Sequence, residues 1–272
     1  MVLCLRLTDM PSMKLQRRVL PERLDVMPAD DPLARRSRCD LQRVHRVMRS
    51  LTILRRAIGM LCMTRQPRRI LELGAGDGSL MLRFAARSPW REVQVTFLDR
   101  QDLIGPEIRR PLDMLGWDTR VLSMDALDWA QASCDQEYDL CVTTLFLHHF
   151  ERPALEQLLR AVAARCRAFV ACEPRRNSVA LLGSHLLGLL GVNEVTREDG
   201  VTSVVAGFAG HELSALWPPS AARWRLREYF AWPFTHCLVA DRGSGADGRV
   251  GAKQQIGINE QQVADRAADE TL

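Results

Sequence analysis

The chain has 272 residues, of which 47% are hydrophobic, and a formal net charge of +4. This is enough apolar material for one sizeable domain with appendages. Its eight cysteines form no Cys-x-x-Cys pair, which argues against a zinc ribbon or a thioredoxin-type redox site. The apolar run at 181–192 is shorter than the roughly 20 residues that cross a bilayer. The apolar segment at 1–7 is too short to form the core of a signal peptide. We therefore expect a reduced, cytoplasmic protein without a membrane span.

The N-terminal quarter of the chain is strongly basic. Residues 1–70 hold sixteen Lys or Arg against six Asp or Glu. From about residue 40 the apolar positions follow helical spacing, and the region has almost no aromatic residues that could stack on bases. We predict a flexible basic segment at 1–39 and a helical lid at 40–66, with His45 or Arg46 facing a pocket. We interpret the arginines as a solvated helix face; a nucleic-acid surface, or a basic lid facing an acidic substrate or carrier, is the alternative.

The most informative segment is 70–78, ILELGAGDG. An apolar strand pattern reaches Glu72 and is followed by glycines at 74, 76 and 78. Glycine tolerates positive φ and lets a ligand approach the backbone, so we expect a tight binding turn after a buried strand. A helical pattern that starts near Ser79 would place N–H groups beside the turn, ready for an anionic group.

Two details separate the candidate nucleotides. A dinucleotide site requires G-x-G-x-x-G, and the third glycine is replaced by Ser79 or by Met81, depending on the register. Glu72 would also repel a pyrophosphate, whereas it suits an ammonium group. A ligand with an amino-acid end, a ribose and an adenine fits these residues better than NAD does.

With that pattern, residues 70–78 resemble the first motif of class I S-adenosylmethionine-dependent methyltransferases, apolar-apolar-Glu/Asp-apolar-Gly-x-Gly-x-Gly. The resemblance is to the small-molecule, methyltransferase type 11/25-like members and covers roughly residues 68–241. It implies S-adenosyl-L-methionine as the cofactor. In this segment it implies cofactor contacts from Glu72, Gly74, Ala75, Gly76 and Gly78.

The next two strand patterns each end in a carboxylate. Residues 92–98 form a β-branched, apolar strand pattern before Asp99, which can accept the two ribose hydroxyls of an adenosyl group. Arg100 follows and is included in the predicted cofactor site. A third strand at 120–124 leads to Asp125 and Ala126, where the resemblance implies contacts to the adenine amino group and ring.

The fourth strand, 138–144, ends in Thr143 and Thr144, which we also predict at the cofactor, and then reaches His148 and His149. This apolar-His-His-apolar ending is similar to that of small-molecule methyltransferases. Histidine titrates near neutrality, so both are candidates for catalytic proton transfer, His148 as a base or substrate-side residue and His149 with packing as its alternative role.

The same position is a metal site in one branch of the family. Ubiquinone-pathway O-methyltransferases have a Glu-x-x-Glu-His arrangement that can hold a divalent cation. Alignment on His149 places Leu145 and His148 where the two carboxylates would be. An apolar residue and an imidazole are poor magnesium ligands, so we predict no metal.

The rest of the chain completes an alternation of strands and helices. We predict a helix at 153–166, a fifth strand at 168–172 before Glu173, an acceptor-side insertion at 174–206, a helix at 207–216, and a hairpin of strands 224–230 and 235–240. This alternation predicts an α/β fold with a doubly wound, mostly parallel seven-stranded sheet and helices on both faces. The methyltransferase domain spans 67–242, and 243–272 is a polar, flexible tail.

The residues and the resemblance together favour a methyltransferase for a small, lipophilic, hydroxylated acceptor, such as an aromatic polyketide or quinone precursor, with O-methylation favoured. Two alternatives remain open: an RNA or protein methyltransferase that uses the basic N-terminal region, and a non-catalytic adenosyl-binding module. We expect no nucleic-acid partner. The sequence does not indicate an oligomeric state.

Overall fold

The computed structural model describes residues 15–61, 63, 65–133, 136–219 and 223–242. The predicted tail at 243–272 and the first fourteen residues of the predicted N-terminal segment lie outside the described residues.

A seven-stranded sheet forms the centre of the fold. Its strands are β1 (Arg69–Leu73), β2 (Val93–Asp99), β3 (Trp117–Ser123), β4 (Tyr138–Thr144), β5 (Cys166–Pro174), β6 (Trp224–Ala231) and β7 (Thr235–Arg242). The spatial order is β3-β2-β1-β4-β5-β7-β6. Strands β1 to β5 are parallel, and β7 is antiparallel to both β5 and β6. The predicted seven-stranded, mostly parallel sheet is thus confirmed.

Helices cover both faces of this sheet. They are α1 (Arg23–Val26), α2 (Pro32–Val47), α3 (Ser50–Gly59), α4 (Ser79–Ala85), α5 (Pro106–Met114), α6 (Ala126–Gln131), α7 (Arg152–Arg165), α8 (Ser178–His185) and α9 (Glu194–Ala206). None of the helices in the described ranges is both long and apolar enough to cross a membrane.

Alternation along the strands divides the core into two layers. In β1, Ile70 packs with apolar residues of α3, α4 and α5, whereas Leu71 and Leu73 pack with α6 and α7. Successive side chains of a strand point to opposite faces, so continuous apolar strands bury both faces of a parallel sheet. The order of the strands reverses between β1 and β4, and ligands of open α/β sheets bind at such a switch point.

The structure differs from the sequence prediction in the N-terminal region. The predicted boundary at residue 39 falls inside α2, which Asp31 caps by accepting N–H groups of Leu33 and Ala34. The predicted lid is also two helices, because Arg49 adopts a left-handed conformation between them. Of these helices, α3 buries Ile53 and Leu54 in the core, so only α2 is placed to act as a lid.

The predicted helix at 207–216 is wrong. The Phe208 N–H donates to the carbonyl of Pro174 at 2.9 Å, and Phe208 forms an isolated parallel bridge with Arg175. This pairing holds the segment in an extended path beside the end of β5. A single 3-10 turn, Ser214–Leu216, is the helical part.

Candidate active site

The glycine turn after β1 forms the floor of a cavity of about 370 Å³. Gly74, Gly76 and Gly78 all have positive φ, which side chains rarely adopt. A Cβ atom on Gly74 would lie 2.2 Å from the ring of Phe146, whereas one on Gly76 would meet nothing within 4 Å. The lack of a side chain at Gly74 therefore allows the Phe146 ring to pack against the turn. At Gly76 it leaves open space in which a ligand can approach the backbone.

At the start of α4, the first N–H group already has a partner within the chain. The N–H of Ser79 donates to Asp77 Oδ1 at 3.0 Å, so the chain's own carboxylate occupies that position. Asp77 Oδ2 accepts from the side-chain amide of Gln42 at 2.8 Å, which ties α2 to the turn. Helix α2 thereby covers this side of the cavity.

Glu72 carries a buried carboxyl group. Its Oε2 atom has no hydrogen bond to any residue that the structure describes, although the side chain lines the cavity. Burial raises the pKa of Glu72 well above its ordinary value, and the carboxylates of Asp77 and Asp99 raise it further. An ammonium group in the cavity would stabilise the charged form of Glu72. The cationic amino-acid end of S-adenosylmethionine therefore fits this position.

Asp99 and Asp125 stand at the carboxyl ends of β2 and β3, as predicted. Asp99 accepts the N–H of Gly76 through Oδ2 at 3.0 Å and that of Gln101 through Oδ1 at 3.1 Å. Asp125 caps α6 by accepting the N–H of Leu127 at 2.7 Å. Each carboxylate oxygen can accept more than one hydrogen bond, so both residues remain able to bind hydroxyl or amino groups.

The loop after β4 forms the opposite wall. Leu145 has a positive φ of 54°. The N–H groups of Phe146 and Leu147 donate to Glu173 Oε1 at 3.1 and 3.0 Å. Glu173, at the end of β5, is fully buried and holds this loop in place.

An N-terminal strap, residues 15–27, crosses the other end of the cavity. The guanidinium of Arg17 donates to the backbone oxygens of Ala206 at 2.8 Å, His148 at 3.2 Å and Phe150 at 2.9 Å. Asp199 of α9 accepts the N–H groups of the strap residues Arg23 and Leu24, at 2.8 and 3.0 Å. These contacts position Glu22, Leu24 and Asp25 in the cavity wall.

The strap brings two carboxylates to the histidine pair. Glu22 Oε1 lies 3.2 Å from His148 Nε2, and Glu22 Oε2 lies 3.5 Å from His149 Nε2. On the far side of the rings, His148 Nδ1 is 2.9 Å from Glu173 Oε2, and His149 Nδ1 is 3.5 Å from Asp25 Oδ2. Each imidazole therefore has a carboxylate near each of its nitrogens.

The two histidines respond to this environment in opposite directions. Burial, the largest single influence, lowers the pKa of His148, but the hydrogen bonds to Glu173 and Glu22 outweigh it and raise that pKa to about 9. The pKa of His149 is lowered, first by burial and then by the positive charge of His148. The pKa values of His148 and His149 are thus shifted in opposite directions although the two residues are adjacent. The sequence pattern His-His could not indicate this difference.

Most of the predicted site residues meet at this cavity. Those that line it are Glu72, Gly74, Ala75, Gly76, Asp99, Arg100, Asp125, Ala126, Thr144, His148 and His149. Gly78 and Thr143 are not among the described residues that line this cavity, and their assignment to the cofactor stays a prediction. A Cβ atom on Gly78 would approach Ile104 to 2.8 Å, and Thr143 is fully buried in β4.

The predicted lid and insertion contribute less than expected. Of the lid residues named above, His45 lines the cavity and Arg46 does not, and Ser203 is the lining residue from 174–206. The insertion's apolar run carries exposed leucines at 182, 186 and 189 rather than a pocket wall.

Sequence reasoning missed the strap residues Glu22 and Asp25. Both lie in the segment predicted to be flexible, and no motif surrounds them. Their role depends on contacts across more than a hundred residues of chain, such as the 126-residue separation between Glu22 and His148.

The central part of the chain matches a known protein family model. Residues 70–168 match the family model of a methyltransferase domain. No curated protein matches the sequence.

Solved structures share the fold at low sequence identity. The plantazolicin methyltransferase BpumL in complex with SAH (S-adenosylhomocysteine) aligns with a TM-score of 0.59 and 13% identity, over 78% of this chain and 91% of that one. The plantazolicin methyltransferase BamL, in complex with a triazolic desmethylPZN analog and SAH, gives 0.57 and 12%, over 80% and 93%. An O-methyltransferase family protein from Burkholderia thailandensis gives 0.52 and 16%, over 80% of this chain and 62% of that one.

Proposed function

We propose that the chain works as a class I S-adenosylmethionine-dependent methyltransferase, as the methyltransferase-domain match of residues 70–168 supports, and that its acceptor is a small, partly lipophilic molecule methylated on a hydroxyl group. The observation that carries this proposal is the set of residues that line the cavity of about 370 Å³ beside the glycine turn. One end has the unpartnered Glu72 and the open glycine turn. The other end has the histidine pair and apolar side chains.

The chain's own residues suit the cofactor. S-adenosylmethionine supplies a methyl group that its sulfonium has already activated. Glu72 would pair with the ammonium group, Asp99 with ribose hydroxyls, and Asp125 with the adenine amino group. Gly76 leaves space for close contact with the backbone. Holding donor and acceptor in line can contribute about 7–11 kcal/mol to lowering the barrier.

The acceptor end has the mixed character that a hydroxylated, lipophilic molecule requires. Apolar side chains that line the cavity, contributed by four segments of the chain, are Leu24, Leu41, Leu103, Leu145, Phe146 and Phe150. Between them, His149 and Ser203 present polar groups. Few polar groups in an apolar pocket are typical of sites that orient a small ligand.

An O-methylation must also remove the hydroxyl proton. His148 and His149, together with Glu22, form the group of proton-binding side chains at this end of the cavity, and we retain the two histidines as the candidate catalytic residues. The Nε2 atom of His149 has no hydrogen bond to a described residue, although Glu22 Oε2 lies 3.5 Å from it.

A macromolecular acceptor is less well supported. The strap and α2 cover the cavity, and an RNA or protein side chain would have to pass them. The observed covering contacts, such as Gln42 to Asp77 at 2.8 Å, favour a small acceptor that can be enclosed.

The first experiment is calorimetric titration with S-adenosylmethionine and S-adenosylhomocysteine, with NAD as the control. Phenolic and quinol compounds are then screened for mass gain by one methyl group, and NMR of the product distinguishes O- from C-methylation. Glu72→Gln is the matched variant, because it keeps the side-chain shape and removes the charge. Cofactor binding without transfer to any hydroxylated compound, but with transfer to amines or carbon, would contradict the proposed acceptor class.

A further inference from the structure

We propose that Glu22, His148 and His149 form a binding site for one divalent ion of the zinc class. Each of the three residues offers one ligand atom, and these atoms all lie within 4.8 Å of one another. The site combines a residue of the strap with two from the loop after β4. It goes beyond methyl transfer, and the binding itself does not depend on the proposed acceptor.

The donor atoms converge from different directions. Both histidines point the same nitrogen, Nε2, at the two oxygens of Glu22, at 3.2 and 3.5 Å. The two rings are 4.2 Å apart between centroids and stand at 76° to each other. Two imidazoles and one carboxylate are a ligand set that zinc uses, with a fourth position left for water or a substrate.

A further carboxylate lies beside the second ring nitrogen, Nδ1, of each histidine. Glu173 Oε2 lies 2.9 Å from Nδ1 of His148, and Asp25 Oδ2 lies 3.5 Å from Nδ1 of His149. Metal-binding histidines usually donate their second ring N–H to such a group, which fixes the tautomer and leaves the lone pair on the other nitrogen. At His148 this contact is a hydrogen bond, and at His149 the outer carboxylate lies at ion-pair distance.

The support behind these groups is rigid. Glu173 is fully buried and accepts N–H groups of Phe146 and Leu147. Glu22 is also hydrogen-bonded by the hydroxyl of Ser203. A preorganised ligand set loses less conformational entropy when it binds an ion.

The local charge also favours a cation. Three carboxylates, those of Glu22, Asp25 and Glu173, surround the two imidazoles. The nearby guanidinium groups of Arg17 and Arg100 donate to backbone oxygens instead. An ion at the convergence point would offset the carboxylate charge and connect the strap to the loop.

The ligand types determine which ion is expected. Imidazole nitrogens suit zinc, cobalt, nickel and copper, whereas magnesium prefers oxygen ligands. The absence of a carboxylate at Leu145 still argues against magnesium, but the strap supplies a carboxylate that the local sequence lacks. The fourth position of the ion would face the cavity. A hydroxyl acceptor bound there would lose its proton more readily, a consequence that rests on the proposed function.

The test uses the full chain, freed of metal with a chelator, and titrates it with Co²⁺ and separately with Zn²⁺. We expect one ion per chain, micromolar or tighter affinity for zinc, and visible Co²⁺ absorption of a tetrahedral site without a thiolate charge-transfer band. Glu22→Gln and His149→Ala should each weaken binding by roughly 100-fold or more, since even the loss of an outer partner costs about 10–100-fold. Circular dichroism checks that each variant is folded. If one variant is not folded, the metal affinity of the other variant tests the proposal.

Two control variants leave the cluster intact. His211→Ala removes an exposed histidine, and Cys39→Ser removes an exposed thiol; neither should change binding. No saturable binding at millimolar metal would overturn the proposal, and the cluster would then be a network of hydrogen bonds only. Binding that persists in both Glu22→Gln and His149→Ala, or that shows thiolate absorption, would also overturn it. Since these readouts are independent of methyl transfer, they separate this proposal from the proposed function.

Discussion

Glu22 Oε1 lies 3.2 Å from His148 Nε2, although 126 residues separate the two in the chain. The contact brings a residue from outside the matched methyltransferase segment, 70–168, into the wall of the cavity. The wall of the candidate active-site cavity therefore depends on how the N-terminal strap is held in place.

The first prediction concerns the anchor of the strap. Asp199→Ala removes the acceptor for the N–H groups of Arg23 and Leu24, and we expect a loss of about 1–3 kcal/mol in the free energy of unfolding if the buried donors stay unpaired. Where the strap detaches instead, hydrogen exchange at residues 15–27 should accelerate while the sheet stays protected. Denaturant unfolding and hydrogen exchange measure the two responses.

Glu198→Ala is the matched control for that change. Glu198 contacts the same Arg23 from an exposed position, with 56% of its side chain accessible. An exposed pair contributes about 0–1 kcal/mol, so the control should leave both readouts nearly unchanged. Equal effects of the two variants would mean that Asp199 does not anchor the strap.

The second prediction separates two glycines of the turn. Gly74→Ala places a Cβ atom 2.2 Å from the Phe146 ring and should lower stability by about 1–3 kcal/mol, the usual cost of overpacking, in addition to backbone strain. Gly76→Ala meets no protein atom, so its stability cost is limited to about 1–2 kcal/mol of left-handed strain. Its main effect should be a loss of affinity for S-adenosylhomocysteine, measured by calorimetry. Unchanged affinity in folded Gly76→Ala would place the cofactor elsewhere.

The third prediction uses the buried, unpartnered Glu72. Because its pKa is raised well above the ordinary 4.5, the folded state binds a proton more tightly than the unfolded state does. Stability of the ligand-free protein should therefore fall as pH rises from the ordinary value through the raised one. Glu72→Gln should remove this decline and at the same time weaken S-adenosylmethionine binding. Urea unfolding at several pH values checks the first effect and calorimetry the second. Parallel pH curves for the two proteins would show that Glu72 is not the group responsible.

The fourth prediction concerns Asp99. Replacing it with Ala should weaken cofactor binding by about 1–3 kcal/mol, the cost of losing a charged hydrogen-bond partner. Part of this loss comes from the turn, because Asp99 Oδ2 also accepts the Gly76 N–H. Ser79→Ala is a suitable comparison, since its backbone N–H contact to Asp77 is kept. Calorimetric affinity for S-adenosylhomocysteine that is equal in wild type and Asp99→Ala would contradict the ribose assignment.

Local patterns in the sequence were sufficient to predict the sheet and to place Glu72, Asp99 and Asp125 at one edge of it. Strand β4 was predicted with its observed bounds, Tyr138–Thr144, and the other strands within three residues. The predictions that failed did so because tertiary contacts overrode local preference. Pairing of Phe208 with the end of β5 prevented the helix at 207–216, and α2 crossed the predicted boundary at residue 39.

The sequence by itself determined the strand alternation, the glycine turn, and the carboxylates Glu72, Asp99 and Asp125, because parallel strands carry their carboxyl ends to one edge of the sheet. Only the tertiary structure decided what closes that edge. Glu22 and Asp25 acquire their partners through Arg17 and Asp199, which no spacing in the sequence relates to them. Residue patterns report which face of an element is buried, whereas a contact between distant segments depends on how the whole chain packs.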